Sequence, residues 1–184
     1  YMKIVVVSGG FDPIHSGHIS YFKSAKGLGE KLIVALNSDA WLIKKKEKFF
    51  MPFEERKIII ENLSMVDEVI DFDDDEFGSA SQALIKIKGF YPKDEIIFCN
   101  GGDRTKDNIP EMQIKDILFE FGVGGEDKKN SSSWILKNWQ NNEEDRVWGK
   151  FFNLYQNKKI KLKQLIVKPG KGMSLQRHFK RCEV

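Results

Sequence analysis

The stretch Lys3-Ile4-Val5-Val6-Val7-Ser8-Gly9-Gly10-Phe11-Asp12-Pro13-Ile14-His15-Ser16-Gly17-His18 decides the fold. Lys3 to Val7 is apolar and β-branched with no polar alternation, the pattern of a strand buried on both faces of a parallel sheet. Ser8 to Gly17 is rich in turn formers. His18 to Leu28 then reads as a helix with Ile19, Phe22 and Ala25 on its inner side, closed by Gly27 and Gly29.

The same alternation continues outward. Lys31 to Leu36 is a second buried strand, followed by a lysine-rich loop and a helix from Phe53 to about Ser64 opened by Pro52. Glu68 to Phe72 is a third strand, Ser79 to Lys88 a third helix, Glu95 to Cys99 a fourth strand and Asp116 to Phe121 a fifth. Ser131 is the expected N-cap of a helix running to about Asn138. Strands alternating with helices predict an α/β fold: a parallel sheet covered by helices on both faces, with a ligand crevice at the carboxyl ends of the strands. Asn141 to Asp145 is polar and aperiodic, so the expected organisation is a domain over 1–140, a linker over 141–157 and a β segment over 158–184. In that last segment Ile160, Leu162 and Ile166 alternate with lysines, as in a half-exposed antiparallel strand. The pattern stops within a further strand-like run from Met173, the opening of a β domain rather than the whole of one.

With 184 residues, 41% apolar and 31% charged, the chain has the makeup of one globular domain plus part of another. No apolar run is long enough to span a bilayer as a helix, and no signal-peptide layout precedes the first strand, so a cytoplasmic protein with no membrane partner is expected. Met2 reads as the start methionine with Tyr1 an extra residue ahead of it. Cys99 and Cys182 form neither a disulfide framework nor a zinc knuckle and are expected as reduced thiols. The net charge of +3 is uneven: residues 158–184 carry nine Lys or Arg against one Glu, and the remainder is mildly acidic. A nucleic-acid binder would spread positive charge over its working domain, so nucleic acid is not an expected partner.

The chemistry is concentrated between Gly9 and His18. Gly9 and Gly10 let the backbone approach a ligand, and its N–H groups can cradle phosphate oxygens. His15 and His18 flank Gly17 where a helix begins, and the positive helix end also favours an anion. Backbone donors, helix dipole and two imidazoles together predict a triphosphate site.

Gly10 to His18 resembles the His-x-Gly-His signature of the cytidylyltransferase-like nucleotidyltransferase superfamily, which has a Rossmann-like sheet. The likeness continues through Asn37-Ser38-Asp39, Glu54-Glu55-Arg56, Val66-Asp67-Glu68-Val69, Gly101-Gly102-Asp103 and Ser131-Ser132-Ser133-Trp134-Ile135, covering about 135 residues in order. Within the superfamily the chain is similar to glycerol-3-phosphate cytidylyltransferases and to heptose 1-phosphate adenylyltransferases. The resemblance implies transfer of CMP or AMP from CTP or ATP to a sugar or polyol phosphate, with release of pyrophosphate. It implies that His15 and His18 donate to the α- and β-phosphates and that Lys45 is the catalytic lysine. Nucleotide contacts would come from Gly9, Gly10, Phe11, Asp12, Gly17, Arg56, Gly102, Asp103, Ser131 and Ser132. Arg56 could equally pair with Glu54 or Glu55 and hold its helix. Mg²⁺ would bridge the phosphates, and a homodimer is the family's usual assembly.

Three departures stand out. Glu47 occupies the position of a second lysine, leaving Lys46 or Lys48 for that role. Ser64 replaces an arginine of the glycerol-phosphate enzymes, which leans towards sugar phosphates. Glu126-Asp127-Lys128-Lys129 replaces another arginine, for which Lys128 or Lys129 could substitute. These losses keep a nucleotide-binding module without turnover as a rival, beside an adenylyltransferase of the pantetheine- or nicotinamide-phosphate type. At the other end, Trp148-Gly149-Lys150, Leu165 to Gly170 and Ser174 to Glu183 resemble the opening of the cupin domain of type II mannose-6-phosphate isomerases. His178 and Glu183 match its metal ligands, but Lys180 stands where a histidine is needed, so no working metal site is expected there.

Overall fold

In the computed structural model, residues 1–102, 104–125, 131–140, 143–156 and 160–174 are described. The chain forms two compact units, Tyr1–Ser133 and Trp134–Val184.

The first unit is a five-stranded sheet. Its strands are β1 (Lys3–Gly9), β2 (Lys31–Leu36), β3 (Glu68–Ile70), β4 (Glu95–Cys99) and β5 (Leu118–Glu120), in the order β3-β2-β1-β4-β5 and all parallel. The expected α/β architecture is therefore present. Alternation along β1 explains why both faces are covered. Ile4 and Val6 join Ile33, Ala35, Ile96 and Phe98 on one side, and Val5 and Val7 join Leu32, Val34 and Ile97 on the other. Helix α4 (Ser81–Phe90) seals the first face with Ala83, Leu84 and Ile87. Helices α1 (Ser16–Lys26) and α3 (Phe53–Glu61) seal the second with Phe22, Ala25 and Ile60. Each of these large aliphatic or aromatic side chains contributes roughly 1.5–3 kcal/mol by leaving water. Cys99 lies in this second layer, where burial pushes its thiol up to about 12 and keeps it protonated.

Because β1 is followed by β2 on one side and, later, by β4 on the other, the chain reverses its winding between β1 and β4. That reversal leaves a crevice at their carboxyl ends.

Two expectations about elements differ from the structure. The lysine-rich segment after β2 is a helix, α2 (Asp39–Lys46), not a loop. Ser38 caps it by accepting a hydrogen bond from the Trp41 amide at 2.9 Å, and Asp39 sits in its first turn, where the helix dipole favours it. The expected linker also carries two strands, β6 (Glu143–Arg146) and β7 (Gly149–Gln156). They pair with β8 (Lys161–Val167) in an antiparallel three-stranded sheet within the second unit. Phe151 is buried there, with the Lys163 ammonium 4.0 Å from its ring centroid. The expected cupin ligands His178 and Glu183, like Cys182, lie outside the described residues. Among the described residues no helix is long and apolar enough to cross a membrane.

Candidate active site

The crevice between β1 and β4 opens into a cavity of about 780 Å³. His15 and His18 line it together with Ser8, Lys46, Asn100 and Arg104. The serines Ser131, Ser132 and Ser133 form another wall, at the start of α5 (Ser132–Gln140).

The two histidines are held by the backbone of their own turn. His15 is the N-cap of α1, and its Nδ1 accepts a hydrogen bond from the Gly17 amide at 3.1 Å. The His15 amide in turn donates to His18 Nδ1 at 3.3 Å. This is a capping box in which imidazoles replace the usual hydroxyl and carboxylate. The rings stack, with centroids 3.7 Å apart and planes 26° from parallel. Gly17 makes the stack possible, since a Cβ there would lie 2.9 Å from His15 Cε1 and 3.0 Å from Nδ1.

The hydrogen bonds also assign the tautomer. With both Nδ1 atoms accepting, the ring proton of each neutral imidazole sits on Nε2, leaving two N–H donors for a ligand. Neutrality follows from the surroundings. Burial, then His15, then Lys46 push His18 down to about 3, and burial followed by Lys46 lowers His15. Phe11 packs edge-on against the His18 ring at 5.0 Å and against Phe22 at 4.8 Å, which fixes the back of the pair. Phe11 itself adopts a left-handed backbone (φ 48°), and Gly9 lies against its ring.

The remaining expected residues fall into two groups. Gly17, Gly102, Ser131 and Ser132 line the cavity beside the histidines. Ser132 is buried and its hydroxyl donates to the Pro13 carbonyl at 2.8 Å, pinning the first turn of α5 to the histidine loop. Gly10 faces away, its Cα directed at Leu42 and Trp41 of α2. Asp103, Lys128 and Lys129 lie outside the described residues.

Three expectations need correction. Asp12 is buried and offers no carboxylate to the cavity, because its two oxygens accept from the Phe50 and Met51 amides at 2.6 and 2.8 Å. It clamps the segment between α2 and α3. Arg56 is 1% exposed and spends its guanidinium on the carbonyls of Met51, Gly10 and Asn37 and on the Asp39 carboxylate at 2.7 Å. Its partner is Asp39, not Glu54 or Glu55, and its role is to tie three loops under the site. Lys45 is the third. Its Nζ lies over the Trp41 ring at 4.4 Å, and it lines a neighbouring cavity. The lysine facing the histidines is Lys46, with Nζ 3.5 Å from the Asp12 carbonyl oxygen. Successive helical residues turn by about 100°, so a run of three lysines on α2 cannot share one wall.

Sequence reading missed Asn100, Arg104 and Tyr21. Asn100 ends the buried run of β4 and its Nδ2 has no hydrogen-bond partner among the described residues. A donor buried without a partner at the rim of a cavity is a place for a ligand oxygen. The signal for it was a polar residue immediately after a buried parallel strand. Tyr21 donates to the Cys99 carbonyl at 2.5 Å and so holds α1 against the end of β4.

The family model described as cytidylyltransferase-like matches residues 6–161. The chain belongs to the cytidylyltransferase-like family. Among its curated relatives is the bifunctional protein HldE of Citrobacter koseri, 37% identical over 112 residues, covering 55% of this chain and 24% of that protein. HldE of an Enterobacter species is likewise 37% identical over 112 residues. The chain thus spans about a quarter of the length of the curated relatives it matches. A lipopolysaccharide core biosynthesis protein of Thermoplasma volcanium shares the fold with a TM-score of 0.51 and 26% identity, over 66% of this chain and 94% of that one. A bifunctional NMN adenylyltransferase/ADP ribose pyrophosphatase of Francisella tularensis matches with a TM-score of 0.52 over 74% of this chain and 42% of that one; at 19% identity it speaks for the fold.

Proposed function

We propose that this chain is a nucleotidyltransferase that moves CMP or AMP from CTP or ATP onto the phosphate of a sugar or polyol and releases pyrophosphate. The observation that carries this reading is the stacked imidazole pair lining the cavity, whose Nδ1 atoms are engaged by backbone amides, so that each neutral ring carries its proton on Nε2.

In the reaction an oxygen of the acceptor phosphate attacks the α-phosphorus and forms a new P–O bond. The bond from the α-phosphorus to the oxygen bridging to the β-phosphate breaks on the opposite side, and that oxygen leaves with pyrophosphate. No proton has to move onto an enzyme nucleophile, so catalysis rests on position and charge. His15 and His18 donate to phosphate oxygens as negative charge grows on them, each donor giving on the order of 10²-fold. Lys46 and Arg104 supply positive charge along the same wall. The start of α5, at Ser132 and Ser133, turns the positive end of a helix towards the outer phosphates.

Among the described residues no group of three or more His, Cys, Asp or Glu side chains is arranged to hold a metal, and the Asp12 carboxylate is already used. Mg²⁺ would arrive carried by the phosphates and water, the usual mode for this ion. Bound there, it would neutralise charge shared by neighbouring phosphates.

The test is incubation with Mg²⁺, CTP or ATP, and a panel of sugar and polyol phosphates, reading pyrophosphate. Release with one nucleotide and one acceptor class is expected. No release from any pair, with the folded protein verified, overturns the reading.

A further inference from the structure

A second cavity of about 600 Å³ adjoins the first, and Arg104 lines both. Its walls come from Trp41, Lys44 and Lys45 on α2, from the turn at Phe77 to Ser79 ahead of α4, and from the 110–113 turn carrying Glu111. Two features of this wall call for a ligand of two-sided chemistry.

The first is crowded positive charge. Lys45 and Arg104 line this cavity together and their charges repel, which, after burial, lowers the basicity of Lys45. An anion between them relieves that repulsion. The second is Glu111, which is 0% exposed. Its Oε1 accepts from the Ala80 amide, 2.7 Å away, where the chain enters α4. Its Oε2 is buried and has no hydrogen-bond partner among the described residues. A carboxylate oxygen buried without a donor is costly, so this position is built for a donor that arrives with something else. A second phosphate oxygen cannot fill it, since phosphate brings no proton and would repel the carboxylate. A hydroxyl group can.

We propose that this cavity holds the acceptor, with its phosphate towards Arg104 and Lys45, and that Glu111 Oε2 accepts a hydrogen bond from one of its hydroxyl groups. Glu111 is then the residue that selects polyhydroxylated phosphates over phosphates that lack hydroxyls. The assignment rests on the transferase reading above and deepens it.

The test compares two probes, a hexose 1-phosphate and ethyl phosphate, by calorimetric titration in the presence of Mg²⁺ and a non-hydrolysable nucleoside triphosphate analogue. Both carry the phosphate; the hexose alone carries ring hydroxyls. Wild-type protein is expected to prefer the hexose phosphate, and Glu111→Gln is expected to reduce that preference about tenfold, the scale of one hydrogen bond to a charged group. The glutamine keeps an oxygen for the Ala80 amide, so the fold is preserved, as unchanged circular dichroism and melting would show. If Glu111 serves the fold alone, losing its charge shifts both probes together and the ratio stays put, which overturns the assignment. A crystal of the wild-type protein soaked with the hexose phosphate reads the same point without a variant. A hydroxyl oxygen within about 3 Å of Oε2 supports it, and Oε2 facing water or protein only refutes it. Failure of the transferase reading looks different, since it would show as absent pyrophosphate release whatever the binding ratio.

Discussion

Replacing His18 by glutamine should make the protein's stability less sensitive to mild acid. The side chain is pushed from 6.5 down to about 3 in the folded protein, first by burial, then by His15 and Lys46. The unfolded chain therefore binds a proton at His18 through a range in which the folded protein refuses it. For a base whose folded pKa is depressed, stability is complete above the unfolded pKa and falls as the pH drops through the interval between the two values. The slope is about 1.4 kcal/mol per pH unit, so lowering the pH from 7 to 5 removes about 2 kcal/mol through this one group. Carboxylates contribute little in that window because they ionise below it. His15 is also lowered and adds to the total slope, but it is present in both proteins and cancels to first order. Urea denaturation of wild type and His18→Gln at pH 7 and pH 5 gives the required double difference. Wild type should lose about 2 kcal/mol more than the variant between the two pH values. Equal losses would mean that His18 titrates normally in the folded protein, and the picture of a buried neutral donor would fail.

Gly17→Ala should cut turnover by about 10²-fold while changing stability by no more than about 1 kcal/mol, since the new methyl meets the His15 ring at 2.9 Å and breaks the stack rather than the core. Kinetics beside thermal melting checks this, and retained turnover would separate the stack from catalysis. Arg56→Met should cost about 3–5 kcal/mol in chemical denaturation, because it strands the Asp39 carboxylate and three carbonyls beneath the site. A near-neutral result would contradict the tie described here. Lys46→Ala should raise KM for the nucleoside triphosphate about tenfold by removing the cation beside the histidines, whereas Lys45→Ala should act mainly on KM for the acceptor phosphate. The reverse pattern in steady-state kinetics would restore Lys45 to the histidine wall.

How much could be read in advance follows the range of the interactions. The sheet was legible because Ile4 to Val7 and Leu32 to Leu36 declare burial on both faces within a few residues, and the His-Ser-Gly-His turn is held by bonds that span three residues or fewer. Helix α2 was legible in principle: Ser38-Asp39 is an N-cap followed by a first-turn acid, and Trp41 and Lys45 are one turn apart. Its lysine content outweighed those marks, and a loop reading leaves the direction of each lysine undefined. Treated as a helix, the run assigns Lys45 and Lys46 to different walls at once. Asp12 and Arg56 were beyond local reading. Their partners lie as far as 38 to 46 residues away, and nothing in either neighbourhood distinguishes a charge aimed at a ligand from one spent on buried backbone.

The imidazole stack has a consequence for how the site divides its labour. Two positive charges at the 3.7 Å ring separation would repel by about 4 kcal/mol even with an effective dielectric near 20, so the geometry that aims both Nε2–H groups also keeps the rings uncharged. The histidines therefore supply direction, and the attraction of a polyanion falls to Lys46, Arg104 and any cation that arrives with the phosphates. Charge on half-buried Lys46 and Arg104 is still open to screening by salt, whereas a neutral donor fixed by backbone hydrogen bonds is not. Raising ionic strength should then weaken triphosphate binding while leaving the chemical step of the bound complex nearly unchanged. A single imidazolium facing the cavity would have tied the two together, because the same charge would have attracted the substrate and stabilised its transition state.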